Sequence, residues 1–397
     1  MDITIYPAKL TGTVQIIPSK SQAHRLLICA AFANKATEIL CPETNEDISA
    51  TVDCLNALGA KISRMESGYY IFPAKQIPKK ATLNCRESGS TLRFLLPIAG
   101  ALGVEATFQM AGRLPNRPLS PLQEEMERMG CSITRSSQNT LLCTGKLRPG
   151  SYSMAGNVSS QFITGLLFAL ILLDAPCTLN ITGKIESKPY IEMTRQAILA
   201  FGGKIDASTV SPSLPLKSPG TLTVEGDWSN GAFFLAANAL GNVINIQGLK
   251  EDSPQGDRIC QDILSTKQPI NISASDIPDL VPILSIVAAA GSGGEFSDIT
   301  RLRLKESDRV ASTIAMLNAF GIEAVANENT LIVFPGKFHG CTINSQNDHR
   351  IAMSAAIAAT IADGPVTILG AQCVSKSYPA FWEVYKSLGG SYEQHIR

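Results

Sequence analysis

The sequence has 397 residues, of which 45% are apolar and 17% are charged, a composition that excludes an intrinsically disordered chain. Its 34 Lys and Arg residues balance its 34 Asp and Glu residues, so no global field would attract nucleic acid or an anionic membrane. A chain of this length exceeds what one hydrophobic core normally supports, and we therefore expect two domains.

Along the chain, a polar loop followed by an apolar, Ala- and Leu-rich stretch recurs about every seventy residues. Amphipathic segments that end in Gly and lead into short β-prone runs alternate with these loops, and Gly is typical of a helix end. We predict repeated units of strand, helix, strand, helix and two short strands. The Gly is missing around 263–267, where the repeat is least regular. The six loops contain Ser19, Ser88, Ser159, Asp227, Asp279 and Asp348.

The repeats also predict the domain boundaries. Three units precede a point near Gly226 and three follow it. We expect the first strand, within 2–5, to pair with the second half of the chain. One domain then comprises 1–18 with 226–397, and the other comprises 19–225. If the helix N-termini of both domains face a common cleft, their dipoles and basic side chains would converge on a small, highly anionic ligand.

Three loops of the first half carry groups that bind phosphate or carboxylate. Lys20, Ser21 and Arg25 place an ammonium, a hydroxyl and a guanidinium within about two helical turns. Gly89 would let a ligand approach the backbone closely. Arg117 lies in a loop with two prolines, which would hold its guanidinium fork rigid. The structural alternative in each case is an ordinary helix start or turn with solvated charges.

Further polar loops supply hydroxyl and carboxylate groups. The run Ser-Ser-Gln at 159–161 exceeds what one N-cap requires. Residues 301–304 alternate like a strand and lead into a helix start, where Glu306 and Arg309 are spaced i, i+3. Glu306, placed among cations and an anionic substrate, is a candidate proton shuttle, with a surface ion pair as the alternative. Asp279 is either a reactive carboxylate or a helix cap.

Cysteine and histidine usage bears on the compartment and on cofactors. The ten Cys residues include no CxxC pair, as is usual in a reducing cytosol. The four His residues lack metal-ligand spacing, so we predict no metal and no other cofactor. The N-terminus resembles neither a signal nor a transit peptide, and the longest apolar run, 165–173, is too short to span a bilayer. We therefore predict a cytoplasmic protein.

Ten motifs occur in a fixed order along the chain: Ser19-Lys20-Ser21 with Arg25, Gly89 with Arg93, Arg117-Pro118, Ser159-Ser160-Gln161, Ser187-Lys188-Pro189-Tyr190, Val224-Glu225-Gly226-Asp227, Ile277-Pro278-Asp279, Lys305 to Arg309, Asp348-His349-Arg350 and Ser375-Lys376. In this order and spacing, they resemble those of the EPSP synthase family, the 3-phosphoshikimate 1-carboxyvinyltransferases, over essentially the whole chain. The resemblance implies an α/β (α+β) fold of two inside-out α/β barrels. Each barrel would contain three βαβαββ repeats whose helices are enclosed by sheet, with the active site in the cleft between domains that close on substrate.

The resemblance implies transfer of the enolpyruvyl group of phosphoenolpyruvate to the 5-hydroxyl of 3-phosphoshikimate, with release of phosphate, in chorismate and aromatic amino acid biosynthesis. Asp279 would accept the hydroxyl proton, Glu306 would exchange the methylene proton, and Lys20 would assist phosphate departure. The residues implied for 3-phosphoshikimate are Lys20, Ser21, Arg25, Ser159, Ser160, Gln161, Ser187, Asp279 and Lys305. Those implied for phosphoenolpyruvate are Lys20, Gly89, Arg117, Gln161, Arg309, Arg350 and Lys376.

Three other functions are alternatives to this one. The related transferase acting on UDP-N-acetylglucosamine typically has a Cys ahead of the Arg-Pro pair, and residues 112–116 contain none. RNA 3′-phosphate cyclases need a nucleophilic His and a nucleotide loop, for which no match is found. A non-enzymatic anion-binding protein would not require Lys20, Asp279 and Glu306, all of which are present. The expected partners are the two small-molecule substrates alone, without nucleic acid or membrane, and the expected state is a monomer.

Overall fold

The computed structural model describes residues 1–206, 208–266 and 268–395. The strands within these ranges are β1 (Asp2–Tyr6), β2 (Thr11–Gln15), β3 (Thr37–Leu40), β4 (Lys61–Arg64), β5 (Gly68–Phe72), β6 (Lys80–Asn84), β7 (Glu105–Gln109), β8 (Cys131–Ser137), β9 (Thr140–Gly145), β10 (Ser151–Ala155), β11 (Cys177–Thr182), β12 (Lys204–Asp206), β13 (Thr209–Ser211), β14 (Thr221–Thr223), β15 (Val243–Gln247), β16 (Ile270–Ser273), β17 (Gly294–Ser297), β18 (Ala324–Ala326), β19 (Thr330–Val333), β20 (Cys341–Asn344), β21 (Val366–Leu369) and β22 (Ser391–His395).

The α-helices are α1 (Lys20–Ala31), α2 (Glu46–Ala57), α3 (Gly89–Leu102), α4 (Leu122–Arg128), α5 (Ser160–Leu170), α6 (Lys188–Ala200), α7 (Trp228–Ala239), α8 (Cys260–Ser265), α9 (Val281–Ala290), α10 (Arg309–Ala319), α11 (His349–Ala358) and α12 (Phe381–Ser387). Short 3-10 helices span Leu114–Asn116, Gly256–Ile259, Thr300–Leu304, Ala359–Ile361 and Ala371–Lys376. None of the helices in the described part of the chain combines the length and hydropathy needed to cross a membrane.

The chain divides into two compact units, each with its own hydrophobic core. We call Met1–Ile17 with Glu225–Arg397 the discontinuous unit and Pro18–Val224 the continuous unit. The N-terminal strands belong to the discontinuous unit because they pair with its strands. β1 pairs antiparallel with β21 and β22, and β2 pairs parallel with β15.

The continuous unit contains three four-stranded sheets, in the orders β14-β3-β5-β4, β6-β7-β9-β8 and β10-β11-β13-β12. In each sheet the first two strands are parallel and the other pairings are antiparallel. Parallel neighbours need a crossover connection, which α3 and α5 supply in the second and third sheets. These two sheets follow the βαβαββ order that the sequence predicts. The first sheet is completed by β14, from the end of the unit.

The discontinuous unit departs from the prediction in one repeat. Two of its sheets have four strands, in the orders β16-β17-β19-β18 and β20-β21-β1-β22, whereas the sheet of β2 and β15 has two in the described residues. Helix α8 ends at Ser265 and β16 begins at Ile270, so the chain is too short there for another hairpin. The expected third βαβαββ repeat is therefore shortened to βαβα. This is the irregular stretch 263–267, of which Lys267 lies outside the described residues.

The first helix of each repeat is buried on nearly all sides. Ten of the eleven residues of α5 and all ten of α11 are buried, which explains why these stretches are apolar around the whole helix. Gly165 lets α5 pack closely on α3, because a Cβ at this position would collide with the backbone carbonyl of Arg93. The structure combines these buried helices with mixed sheets, and the predicted α/β class is confirmed.

Candidate active site

Polar residues cap the buried helices at the predicted loops. The side chains of Ser19, Ser88 and Ser159 accept hydrogen bonds from backbone N–H groups in the first turns of α1, α3 and α5. Asp227 and Asp348 do the same for α7 and α11. These caps satisfy N–H groups that a helix start leaves unpaired, and they leave the neighbouring polar side chains available for other contacts.

In the continuous unit, contacts join the starts of α1, α2 and α3. The Lys20 ammonium donates to Asp47 Oδ2 at 3.0 Å, and the two side chains are only 16% and 18% exposed. Thr91 Oγ1 donates to the backbone carbonyl of Asp47 at 3.4 Å. Asp47 therefore orients Lys20 at this end of the unit.

The start of α5 is tied to the same end. Gln161 Nε2 donates to Ser90 Oγ at 3.0 Å, and Arg93 Nη1 donates to Gln161 Oε1 at 3.1 Å. Arg93 Nη2 also donates to the carbonyl of Pro118, next to Arg117, at 3.2 Å. Arg93 is buried and thus fixes Gln161 relative to the Arg117 loop.

Arg25 is almost completely buried, with 2% of its surface exposed. It donates to Thr194 Oγ1 at 2.9 Å and to the carbonyls of Ser21 and Tyr190 at 2.6 and 2.9 Å. These bonds hold α1 against α6. Among the residues predicted to bind substrate, Arg25 thus makes extensive contacts to the protein itself.

The predicted serines lie at helix starts. Ser21 is half-buried in the first turn of α1, and Ser160 is the buried first residue of α5. Ser187, the N-cap of α6, is buried and has a φ of 55°, in the left-handed region that favours glycine. Backbone strain of this kind occurs preferentially at functional sites.

In the discontinuous unit, Arg309 binds three carboxylates although it is only 1% exposed. It donates through Nη1 to Asp279 at 2.7 Å, through Nη2 to Glu306 at 2.7 Å and through Nε to Asp348 at 3.1 Å. The predicted pairing of Glu306 with Arg309 is therefore present. Glu306 precedes the helix start, and Thr300–Leu304 forms a 3-10 helix rather than the predicted strand.

Asp279 lies between two guanidinium groups. Its Oδ1 accepts from Arg309, its Oδ2 accepts from Arg350 at 3.1 Å, and the Lys305 ammonium is 3.9 Å away. The N-cap of α9 is Leu280, so Asp279 is not that cap. The pairing with both arginines favours the alternative of a functional carboxylate.

The pKa values in this cluster follow from burial and from the paired charges. Burial raises the pKa of Asp279, but Arg350, Lys305 and Arg309 together lower it well below its usual range. Burial lowers the pKa of Lys305 to about 8, against the opposing effect of Asp279. Asp279 is thus ionised at neutral pH, and its charge is matched by the surrounding cations.

Two further predicted residues, Lys376 and Arg350, donate hydrogen bonds to backbone carbonyls near this cluster. Lys376 is buried and donates to the backbone carbonyl of Asn347, one residue before Asp348, at 2.9 Å. Arg350 donates through Nη1 to the carbonyl of Ser229 at 3.2 Å. Through these contacts the starts of α7, α10 and α11 come together near Asp279, two residues before α9. They give this unit a compact set of anion-binding groups.

Sequence reasoning did not assign roles to three acidic residues that the structure places at these sites. Asp47 pairs with Lys20, Asp348 pairs with Arg309, and Asp257 bonds to Ser229. Asp348 was visible only as a residue of the Asp-His-Arg motif. No local pattern marks Asp47 or Asp257, because their partners are distant in sequence. Within the described ranges, no group of three or more His, Cys, Asp or Glu side chains is arranged to hold a metal ion.

Comparison with known proteins identifies the family. The model of the family described as EPSP synthase (3-phosphoshikimate 1-carboxyvinyltransferase) matches residues 5–267 and 261–385. A 3-phosphoshikimate 1-carboxyvinyltransferase of Clostridium kluyveri is 39% identical over 420 aligned positions, covering 99% of this chain and 98% of the relative. A relative of the same name from Clostridioides difficile is 38% identical over 432 positions, with the same coverage.

Solved structures show the same fold. An EPSP synthase from Acinetobacter baumannii has a TM-score of 0.79 at 22% identity and covers 99% of this chain and 100% of that one. The enolpyruvyl transferase NikO from Streptomyces tendae has a TM-score of 0.78 at 16% identity, with coverage of 100% and 99%. The family match and the full-length relatives together show that this chain belongs to the EPSP synthase (3-phosphoshikimate 1-carboxyvinyltransferase) family.

Proposed function

We propose that this protein transfers the enolpyruvyl group of phosphoenolpyruvate to the 5-hydroxyl of 3-phosphoshikimate, giving 5-enolpyruvylshikimate-3-phosphate and phosphate. The observation that carries the proposal is the cluster in which Asp279 lies between Arg309 and Arg350, beside Glu306. It combines anion binding with two carboxylates suited to proton transfer. Membership of the family supports the same reaction.

The charges of the two substrates match the proposed binding groups. Phosphoenolpyruvate carries a carboxylate and a phosphate, and guanidinium groups bind both in a bidentate manner. We assign it to Lys20, Gly89, Arg117, Gln161, Arg309, Arg350 and Lys376. We assign 3-phosphoshikimate to Lys20, Ser21, Arg25, Ser159, Ser160, Gln161, Ser187, Asp279 and Lys305. The assigned groups come from both units. Closure of the units on substrate stays a prediction.

The proposed chemistry has an addition and an elimination. Glu306 gives a proton to the methylene carbon of phosphoenolpyruvate, the 5-hydroxyl oxygen bonds to the adjacent carbon, and Asp279 takes the hydroxyl proton. The new methyl group then returns a proton to Glu306 as phosphate leaves and the double bond re-forms, and Asp279 gives up the hydroxyl proton as hydrogen phosphate is released. Lys20 stabilises the charge on the departing phosphate.

Substrate binding would itself activate Asp279. In the unliganded protein, Arg309 and Arg350 lower the pKa of Asp279, which makes it a weak base. When the anionic groups of phosphoenolpyruvate bind these guanidinium groups, the Asp279 carboxylate loses part of the positive charge that stabilises its ionised form. Its pKa then rises, and it accepts the hydroxyl proton more readily.

The direct test is release of phosphate from phosphoenolpyruvate by the purified protein, with and without 3-phosphoshikimate. We expect release only when 3-phosphoshikimate is present, together with a product heavier by the enolpyruvyl group in mass spectrometry. UDP-N-acetylglucosamine serves as the competing acceptor. Release with that acceptor, or no release with 3-phosphoshikimate, would refute the proposal.

Gly89→Ala is expected to weaken phosphoenolpyruvate binding specifically. A Cβ at Gly89 would lie 2.6 Å from Arg93 Nη1 and 2.7 Å from Arg117 Nη1, so both guanidinium groups must move. We expect the KM for phosphoenolpyruvate to rise on the order of 10-fold, a loss of about 1.4 kcal/mol, with a smaller change for 3-phosphoshikimate. Steady-state kinetics measure both values. Gly364→Ala is the control, because its φ is not in the left-handed region and a Cβ there would come no nearer than 3.4 Å to any neighbouring atom. Equal changes in both KM values would contradict the specific effect.

We further propose a monomeric, cytoplasmic enzyme that requires no metal or other cofactor. The equal numbers of positive and negative residues support the absence of a nucleic acid or anionic membrane partner.

A further inference from the structure

A buried pair, Ser229 and Asp257, lies next to Arg350 and has no part in the proposed reaction. Ser229 Oγ donates a short hydrogen bond to Asp257 Oδ2, and the two residues are 8% and 2% exposed. The backbone carbonyl of the same serine accepts from Arg350 Nη1 at 3.2 Å. A chain of two contacts therefore connects Asp257 to a guanidinium group of the anion site.

The segment that carries Asp257 is firmly attached to the start of α7. Gln255 Oε1 accepts from the backbone N–H of Trp228 at 3.1 Å, and Gln255 Nε2 donates to the carbonyl of Gly226 at 2.8 Å. Gln255 Nε2 also donates to Glu225 Oε1 at 2.8 Å. Because these bonds attach Gln255 to the residues on either side of Asp227, the N-cap of α7, they limit the movement of Asp257 relative to Ser229.

The surroundings of Asp257 disfavour its charge. Its Oδ1 atom is buried and has no hydrogen-bond partner in the described part of the chain, which is costly for an ionised carboxylate. Burial, followed by the nearby Asp279, raises the pKa of Asp257 to about 7, although Arg350 opposes the shift. Asp227 also faces it from the α7 start, and Cys260 faces it from α8. A substantial fraction of Asp257 is therefore protonated at neutral pH.

We propose that Asp257 is a positioning residue for phosphoenolpyruvate binding, acting through Ser229 on the orientation of Arg350. The Asp257 carboxyl holds Ser229 in the first turn of α7. The backbone carbonyl of Ser229 in turn orients the Arg350 guanidinium for binding the substrate anion. The inference rests on the proposed function, since phosphoenolpyruvate is the ligand whose affinity it concerns.

The pH dependence follows from the charge on Asp257. In its protonated form, the residue aligns Arg350 without competing for its charge. As pH rises above about 7, Asp257 ionises and attracts the guanidinium, so the substrate has to compete with it. Asn at this position keeps the shape and hydrogen-bonding ability of the protonated acid but cannot ionise.

The experiment compares Asp257→Ala, Asp257→Asn and Ser229→Ala with the wild-type protein by steady-state kinetics between pH 6 and 9. We expect Asp257→Ala to raise the KM for phosphoenolpyruvate on the order of 10-fold at pH 7, with less than about a 3-fold change in kcat or in the KM for 3-phosphoshikimate. Asp257→Asn should restore wild-type KM within about 3-fold and should flatten its rise above pH 7. Ser229→Ala keeps the backbone carbonyl, and we expect it to raise the same KM about 3- to 10-fold.

Asp262→Asn, an exposed change on α8, is the control and should leave all constants unchanged. If Asp257→Ala fails to fold, Ser229→Ala and Asp257→Asn decide the question. The inference is overturned if Ser229→Ala leaves the KM for phosphoenolpyruvate unchanged, or if Asp257→Asn retains the wild-type pH dependence. A wild-type protein that releases no phosphate refutes the proposed function instead, which separates the two failures.

Discussion

Asp279→Ala is expected to lower kcat by about 10²- to 10⁴-fold, the usual contribution of a positioned general base. The variant should still bind both substrates, because Arg309 and Arg350 remain in place and lose the carboxylate that they bind in the unliganded protein. The KM for phosphoenolpyruvate is therefore expected to stay equal or to fall. Steady-state kinetics and calorimetric titration with each substrate measure the two effects separately.

Two further variants determine whether kcat falls because Asp279 no longer acts as a base. Asp279→Asn keeps the size of the side chain and removes its basicity, so it should be as slow as Asp279→Ala. Asp262→Asn removes an exposed carboxylate from the same unit and should retain full turnover. Near-normal turnover of Asp279→Ala would remove Asp279 from the proposed mechanism.

Arg309→Met is expected to destabilise the discontinuous unit by about 3 to 5 kcal/mol, the cost of leaving buried charges without their partner. Arg309 is 1% exposed and Asp348 is completely buried, so water cannot replace the lost contacts. Asp279 and Glu306 would also lose a partner each. The variant should bind phosphoenolpyruvate poorly as well, because one guanidinium group of the proposed site is removed.

Urea unfolding followed by tryptophan fluorescence measures this effect in the right unit. Both tryptophans of the chain, Trp228 and Trp382, belong to the discontinuous unit. The control is Arg303→Met in the same unit, which removes an ion pair with Asp308 whose side chains are 36% and 39% exposed, and it should cost less than about 1 kcal/mol. Equal stability of the two variants would contradict the expectation.

The destabilisation should depend on pH. Burial raises the pKa of Asp348, but Arg309 lowers it below the ordinary Asp value in the folded protein. A depressed folded-state pKa adds stability above the ordinary value, near 4, and this stability is lost as pH falls through the folded-state pKa. The difference between wild-type and Arg309→Met proteins should thus be largest near pH 7 and should shrink in acid.

Much of the fold and of the site could be predicted because it depends on short-range relations. Caps such as Ser88 act on an N–H group three residues away, and Glu306 bonds to Arg309 at the same spacing. These relations join residues that are close together in the sequence, so a local pattern can predict them. The sequence also indicated the shortened repeat locally, because the Gly expected around 263–267 is missing. The strand predicted at 301–304 was wrong because its alternating leucines form a 3-10 helix with only Leu302 fully buried.

The sequence by itself determined the repeated α/β order, the polar helix starts and the residue types suited to binding phosphorylated substrates. Only the tertiary structure decided which charges meet. Arg309 and Asp348 are 39 positions apart, and Asp279 and Arg350 are 71 apart. Contacts over such separations depend on how separate helices pack together, which no local pattern encodes. For the same reason, only the structure connects Asp257 to Arg350 through Ser229 and shows that Asp279 is not a helix cap.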